Sequence, residues 1–407
     1  MTKIINLGNG IPLILESIPT AKSFSFGIAC RVGAIDETIE NEGISHFIEH
    51  MLFRGTKKRS SVEISEAIDR VGGEIDAFTS REVTMFYSTV LSKDAETCVD
   101  VLSDLVMNPV FHPEDIEKER AIILEEIIIQ ESSFESLVHE LNIQNAYRNS
   151  AIDLSILGSL STVIRMNQDD LLEYYQRHYI PENIFLSIAG NFNEEKIISK
   201  IEKLWSQMEN RPRKKNSQHL DIVYKPQVIP KNTPHVHICV NATGTSYSDK
   251  DFVTLQIVSN ILGAGTSSRL YREIRENRGL AYSVYSYISA FEKTGLFTSY
   301  IGTVRKNYKR AIDITLNEYF KLSSNLVTVD ELEKAKNQIL ASVLFDIENT
   351  RTEMFRNLND YFAYGHTTNV NEIQQKIENI SRKDILTFAK NNLNCNTTSF
   401  TALGDVA

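Results

Sequence analysis

His46, Glu49 and His50 stand in the pattern H-x-x-E-H, with Phe47 and Ile48 between them. On an α-helix positions i, i+3 and i+4 share one face, so two imidazoles reach one ion while a carboxylate lies beside it. The pattern is the inverse of H-E-x-x-H, and the chemistry it offers is metal-assisted hydrolysis. The same three residues also serve as polar stabilisers of a partly exposed helix, and the motif alone leaves both readings open.

A catalytic zinc takes three protein ligands and keeps a fourth position for water, so another ligand is required. Glu126 is the candidate. It lies in Glu119-Arg120-Ala121-Ile122-Ile123-Leu124-Glu125-Glu126-Ile127, where Glu119 and Glu126 fall on one helix face. A carboxylate among Ile122, Ile123, Leu124 and Ile127 is expected to be partly buried and to need a partner, which a metal supplies. Glu117 and Glu125 suit solvent better. His235 and His237 alternate on an expected strand without a third ligand, and His112, His139, His178, His219 and His366 are isolated, so structural roles suffice for them.

These residues need helices to carry them. Apolar residues at three- and four-residue spacing predict helices over 43–54, 62–71, 94–107 and 113–141. The last opens on Pro113, with Glu114 and Asp115 favouring the positive end of the helix dipole. Strand patterns occupy 4–7 and 12–16 around Gly8-Asn9-Gly10, then 24–32, 74–79 and 83–91.

The second half repeats this order. Glu114-Asp115-Ile116-Glu117-Lys118 matches Asp330-Glu331-Leu332-Glu333-Lys334, each opening an apolar-periodic helix, which predicts a duplicated α+β unit. Glu119 and Glu126 then correspond to Ala335 and Ser342, and residues 255–270, opposite the His46–His50 helix, contain neither His nor Glu. The chemistry is therefore expected in the first copy only. The expected organisation is a catalytic domain at 1–208, a polar linker at 209–222 containing Arg211-Pro212-Arg213-Lys214-Lys215, and a homologous domain at 223–407.

A length of 407 residues exceeds the usual single domain of about 100–200 and allows two cores. With 42% hydrophobic and 24% charged residues the chain is neither disordered nor fibrous. A net charge of −10 disfavours nucleic acid or an anionic membrane as the main partner; it suits a cationic peptide, or solubility alone. Cys30, Cys98, Cys239 and Cys395 show no C-x-x-C spacing and read as reduced thiols. No stretch reaches ~18 consecutive apolar residues and the N-terminus shows no signal core, so a cytoplasmic location is expected, leaderless export aside.

Gly43-Ile44-Ser45-His46-Phe47-Ile48-Glu49-His50-Met51-Leu52-Phe53-Arg54-Gly55-Thr56, followed by Glu119 to Ile127, resembles the inverzincin family of pitrilysin, insulin-degrading enzyme and mitochondrial processing peptidase. The resemblance covers nearly the whole chain, at the length of the short-chain members. It implies an α+β fold of two homologous α/β-layered domains of the processing-peptidase type (LuxS/metallohydrolase-like), dimerising as a clamshell. It further implies one Zn2+ per chain on His46, His50 and Glu126, with Glu49 as general base and Glu119 orienting a ligand from outside the metal's own shell.

Arg275-Glu276-Asn277-Arg278-Gly279-Leu280-Ala281-Tyr282 is similar to the family segment whose arginine and tyrosine hold substrate and tetrahedral intermediate. By that resemblance Arg275 and Tyr282 take those roles, either within their own chain or across a dimer. Gly72-Gly73-Glu74-Ile75-Asp76-Ala77-Phe78-Thr79 resembles the edge strand to which an extended substrate adds, which makes Asp76, Ala77 and Phe78 substrate-binding. Asp76 replaces the family's asparagine and, ionised, accepts but does not donate. Ser136 and Glu140 occupy the place of an acidic pair that reads a presequence arginine; with one acid missing, a strict arginine requirement is not expected.

The implied function is a zinc endopeptidase acting on extended, unfolded peptides or presequences in a closed chamber. The implied assembly is a homodimer, or a heterodimer with a homologue, with no nucleic-acid or membrane partner. Two rival readings are a non-catalytic scaffold or partner subunit and a metal-dependent hydrolase of non-peptide substrates. The first is disfavoured by the retained metal residues, the second by the Arg/Tyr pair and edge strand.

Overall fold

The computed structural model describes residues 2–209, 211 and 220–406, so most of the expected linker lies outside the described residues. The chain forms two compact units of mixed helices and sheets. The first comprises Met1–Ile128, Leu154–Gln218 and Asp346–Thr367; the second comprises Ile129–Asp153, His219–Phe345 and Thr368–Ala407.

The strands are β1 (Thr2–Asn6), β2 (Pro12–Ser17), β3 (Ser23–Cys30), β4 (Glu74–Thr79), β5 (Thr84–Leu91) and β6 (Ile184–Gly190), then β7 (Gln227–Pro230), β8 (Val236–Thr243), β9 (Ala281–Ala290), β10 (Gly295–Thr303) and β11 (Thr398–Gly404). The first helices are α1 (Ile44–Leu52), α2 (Ser61–Asp69), α3 (Ala95–Met107), α4 (Pro113–Ser132), α5 (Phe134–Ala146), α6 (Leu160–Arg165), α7 (Gln168–His178) and α8 (Glu194–Trp205). After them come α9 (Phe252–Gly263), α10 (Tyr308–Ser324), α11 (Val329–Ile347), α12 (Thr350–Tyr364), α13 (Val370–Asn379) and α14 (Arg382–Asn392).

In the first unit a six-stranded sheet runs in the order β1-β2-β6-β3-β5-β4. Only β2 and β6 pair in parallel. Alternate residues of β3 feed two cores. Phe24, Phe26 and Ile28 join Phe47, Met51, Leu102 and Trp205 of α1, α3 and α8 on one face. Ala29 meets Met85, Ala189 and the α12 residues Met354 and Leu358 on the other. Burial on both faces explains why β3 reads as a nearly continuous apolar run rather than an alternating one.

The second unit builds a five-stranded sheet in the order β7-β11-β8-β10-β9. Val236, Ile238 and Val240 of β8 pack with Phe297, Leu255 and Ile385 on one face. Cys239, Tyr300 and Leu403 meet Val138 of α5 on the other. Each unit thus takes one covering helix from the opposite half of the sequence, α12 in the first and α5 in the second.

The single helix expected over 113–141 is broken into α4 and α5 at Ser133. Ser132 Oγ donates to the Ile129 carbonyl at 2.8 Å and Ser133 Oγ to Ser136 Oγ at 3.0 Å, the local side-chain bonding by which serines compete with the helix ladder. Apolar periodicity continues through the break, so spacing alone does not reveal it. None of the four cysteines is in a disulfide; Cys30, Cys98 and Cys239 are buried and Cys395 is exposed. Among the described residues no helix is long and apolar enough to cross a membrane.

Candidate metal centre

Helix α1 begins at Gly43, whose φ of 93° lies in the left-handed region. A Cβ there would stand 2.7 Å from both Gly158 Cα and the Leu157 carbonyl oxygen, so glycine is required on both counts. Ile44, Phe47, Ile48, Met51 and Leu52 bury one side of the helix in the sheet-facing core. The 3.6-residue repeat then leaves His46, Glu49 and His50 together on another side.

Across from them α4 presents Glu126. The two imidazole Nε2 atoms are 3.2 Å apart, and Glu126 Oε2 is 3.6 Å from each. Among the described residues this is the one group of three ligand-type side chains whose donor atoms lie within 4.8 Å of one another. Ligands ~2.0–2.1 Å from a tetrahedral zinc stand roughly 3.3 Å apart, close to the spacing observed. Burial, followed by the neighbouring His50, pushes the His46 pKa down to about 3, so its ring stays neutral and can offer a lone pair. His46 Nδ1 is buried with no hydrogen-bond partner. Two imidazoles and a carboxylate facing a common point form a donor set that suits zinc, and the residues fit that ion.

Glu119, one helical face with Glu126, is 3% exposed. Its Oε2 lies 2.7 Å from His50 Nδ1, and its Oε1 accepts from Arg54. A proton on His50 Nδ1 leaves Nε2 as the lone-pair nitrogen, the tautomer a metal ligand needs. Glu49 is placed differently: Thr79 Oγ1, at the end of β4, donates to its Oε2. Burial raises the Glu49 pKa and the Thr79 bond opposes the rise.

The N-terminus of α1 is fastened by Glu37. Its carboxylate oxygens accept from the Gly43 and Ser45 backbone N–H groups at 2.7 and 2.8 Å, satisfying first-turn donors that have no partner within the helix. Ser45 Oγ in turn lies 3.0 Å from the Tyr174 hydroxyl. Burial outweighs these bonds and, with Glu42 nearby, raises the Glu37 pKa from 4.5 to about 7. The folded chain therefore holds a proton that the unfolded chain has lost. The associated stability is full below pH ~4.5 and disappears as pH rises through ~7, a swing on the order of 3 kcal/mol. Chemical denaturation of wild type and Glu37→Gln at several pH values should show this slope in wild type alone; equal slopes would rule it out.

The strand expected to receive substrate, β4, is the edge of its sheet and, among the described residues, pairs with β5 alone. Ile75, Ala77 and Thr79 lie towards the protein and Glu74, Asp76 and Phe78 are exposed, the alternation of a half-buried strand. Asp76 Oδ2 accepts from the Tyr87 hydroxyl at 3.1 Å, and Phe78 is 42% exposed beside the Tyr87 and Phe355 rings.

Arg275, Tyr282 and Glu140 belong to the second unit. Arg275 sits in a π-helical turn, Tyr271–Glu276, with its guanidinium carbon 5.1 Å from the Tyr271 ring centroid. Tyr282 is the second residue of β9 and is 46% exposed. Glu140 lies on α5, where Gln144 Nε2 donates to its Oε1 at 3.5 Å. Ala335, the counterpart of Glu119, is buried on α11, and α9 carries neither His nor Glu. Sequence reasoning gave no role to Glu37, Arg54 or Thr79. The period-two alternation of Ile75, Ala77 and Thr79 is the signal that puts the threonine on the protein-facing side of β4, though not its contact with Glu49.

The family profile described as insulinase, peptidase family M16, matches residues 13–160, and that described as peptidase M16 inactive domain matches residues 165–339. A relative from Bacillus subtilis named uncharacterized zinc protease YmxG is 32% identical over 381 residues, covering 94% of this chain and 93% of the relative. A Rickettsia bellii protein, also named an uncharacterized zinc protease, is 32% identical over 397 residues, with 97% and 96% covered. A protease structure from Helicobacter pylori superposes with a TM-score of 0.91 at 18% identity over 99% of both chains. A structure described as a peptidase M16 inactive domain from Pseudomonas fluorescens gives 0.92 at 14% identity over 100% of this chain and 98% of that one. At these identities the two structures show the fold alone.

Proposed function

Because the chain belongs to the M16 family of inverzincin peptidases, we propose that it is a zinc metalloendopeptidase that cuts extended, unfolded peptides. One observation carries the reading: His46, His50 and Glu126 converge on a common point with the Glu49 carboxylate on the same helix face. The description "inactive domain" falls on residues 165–339, outside every one of these side chains. The relatives' names support zinc as the ion.

A zinc ion held by this donor set supplies a Lewis acid that polarises a scissile carbonyl and acidifies its bound water towards pH ~7. Thr79 holds Glu49 Oε2, which leaves Oε1 as the atom that accepts the attacking water's proton and passes it to the leaving amine. Glu119 keeps His50 oriented through Nδ1, and Arg54 keeps Glu119 oriented. The open edge of β4 binds substrate backbone as an added strand, so affinity depends little on sequence and requires an extended chain. Asp76 and Phe78 face outward there, and Ala77 lies between them.

Arg275 and Tyr282 then donate hydrogen bonds to a substrate carbonyl and to the charge that develops on it. We assign these two to the site of a second copy in a homodimer, with Glu140 contributing an acidic contact to substrate. Co-assembled Glu49→Gln and Tyr282→Phe chains should then recover part of the activity that each lacks alone, and no recovery would contradict sharing. The reading as a whole is tested with an internally quenched library of unfolded decapeptides. Cleavage that stops on chelation is expected, and its absence from zinc-loaded chain would favour a non-catalytic partner subunit.

A further inference from the structure

Tyr282 is held in an unusual way for a residue near the end of an edge strand. The β9–β10 register runs from Gly302 opposite Ser283 to Thr303 opposite Ala281, so Tyr282 is the extra residue of a β-bulge. Such bulges turn a side chain out of the normal alternation. Here the turned ring crosses the neighbouring strand at Gly302, where a Cβ would stand 2.6 Å from Tyr282 Cζ and 2.7 Å from its hydroxyl oxygen. Real Cβ atoms do not approach so closely, so glycine at 302 is the seat of the ring. His235 meets the same ring edge-on, with centroids 5.4 Å apart.

Tyr300, two residues before Gly302 on β10, points to the same face of that strand, and burial, followed by the nearby Tyr282, raises its pKa. Tyr300 is fully buried, and its hydroxyl lies 2.8 Å from His237 Nδ1. His237 stands directly opposite Gly302 on β8 and is 6% exposed. Burial lowers its pKa, although Glu135 opposes and His235 adds to the effect, which keeps the ring neutral with a single N–H.

We propose that Gly302, Tyr300 and His237 are positioning residues that fix Tyr282 and turn its phenolic proton outward, towards a substrate carbonyl oxygen. In this arrangement His237 Nδ1–H donates to Tyr300, the Tyr300 O–H donates to the Tyr282 oxygen, and the Tyr282 proton is left for the ligand. Hydrogen bonds ordered head to tail polarise one another, which strengthens the last donor. The reverse order would point the Tyr282 proton into the protein and waste it. The proposal rests on the reading in which Tyr282 contacts the reacting carbonyl.

A double-mutant cycle in the full zinc-loaded chain, read as kcat and KM on an internally quenched decapeptide, separates the two. Tyr282→Phe is expected to lower kcat about 100-fold, the effect of removing one oxyanion donor. Tyr300→Phe is expected to lower kcat about fivefold, the worth of one neutral hydrogen bond, with KM unchanged. In the Tyr282→Phe background Tyr300→Phe should cost nothing further, because the group it orients is gone. Gly302→Ala displaces the ring from Tyr300 and leaves the His237–Tyr300 bond in place, and it too should become silent in that background. A fivefold loss that persists after Tyr282→Phe, or an unimpaired Tyr300→Phe and Gly302→Ala beside a defective Tyr282→Phe, overturns the positioning role alone. An unimpaired Tyr282→Phe overturns the reading of Tyr282 and the relay with it.

Discussion

Glu49→Gln chains should retain their zinc and lose about 10²–10⁴-fold in kcat/KM, the contribution of a positioned general base. The amide has the shape of the carboxylate and keeps an oxygen to accept from Thr79, so α1 and its two histidines stay in place. What the amide lacks is a basic atom to take the water's proton. The effect should therefore fall on the chemical step, with zinc content measured by atomic emission at the wild-type level. Wild-type cleavage by Glu49→Gln would remove Glu49 from the mechanism.

The second large effect concerns the metal residues. His50→Ala removes one of the three donors and leaves Glu119 and Arg54 facing an empty space, and Glu126→Gln replaces a charged donor by a weak neutral one. Both variants should be recovered with little zinc and without measurable cleavage. Glu119→Gln should be milder, because all three donors remain and only the partner of His50 Nδ1 is weakened. Loss of such a supporting contact costs about 10–100-fold in metal affinity or activity. The order Glu119→Gln, then Glu126→Gln and His50→Ala, reflects distance from the ion. Full zinc and full activity in His50→Ala would place the metal elsewhere.

Much of this site was legible because helices are periodic. The spacing of His46, Glu49 and His50 fixes them on one face whatever the rest of the chain does, and the step from Glu119 to Glu126 does the same on α4. The strand at 74–79 was legible for the same reason at a period of two. Glu37, Arg54 and Thr79 were not, since each acts through a contact that sequence spacing does not encode. Glu37 reaches forward to cap α1, Arg54 holds a glutamate on another helix, and Thr79 meets Glu49 from a strand. The break at Ser133 was hidden by apolar residues that keep helical spacing across it, and it matters because α5 then packs in the second unit rather than extending α4. The placement of α12 in the first unit is likewise a tertiary fact. The pattern of Tyr282 as a bulged residue depends on cross-strand register, which no single strand sequence carries.

The decisive measurement is a zinc back-titration of chelator-stripped chain, followed by cleavage of the quenched decapeptide library. The stripped chain should be silent, and activity should rise linearly with added zinc to a plateau at about one ion per chain, the number that three ligands from one site hold. Cleavage that survives chelation, or a fully zinc-loaded chain that cuts no peptide, would contradict a zinc peptidase built on His46, His50 and Glu126.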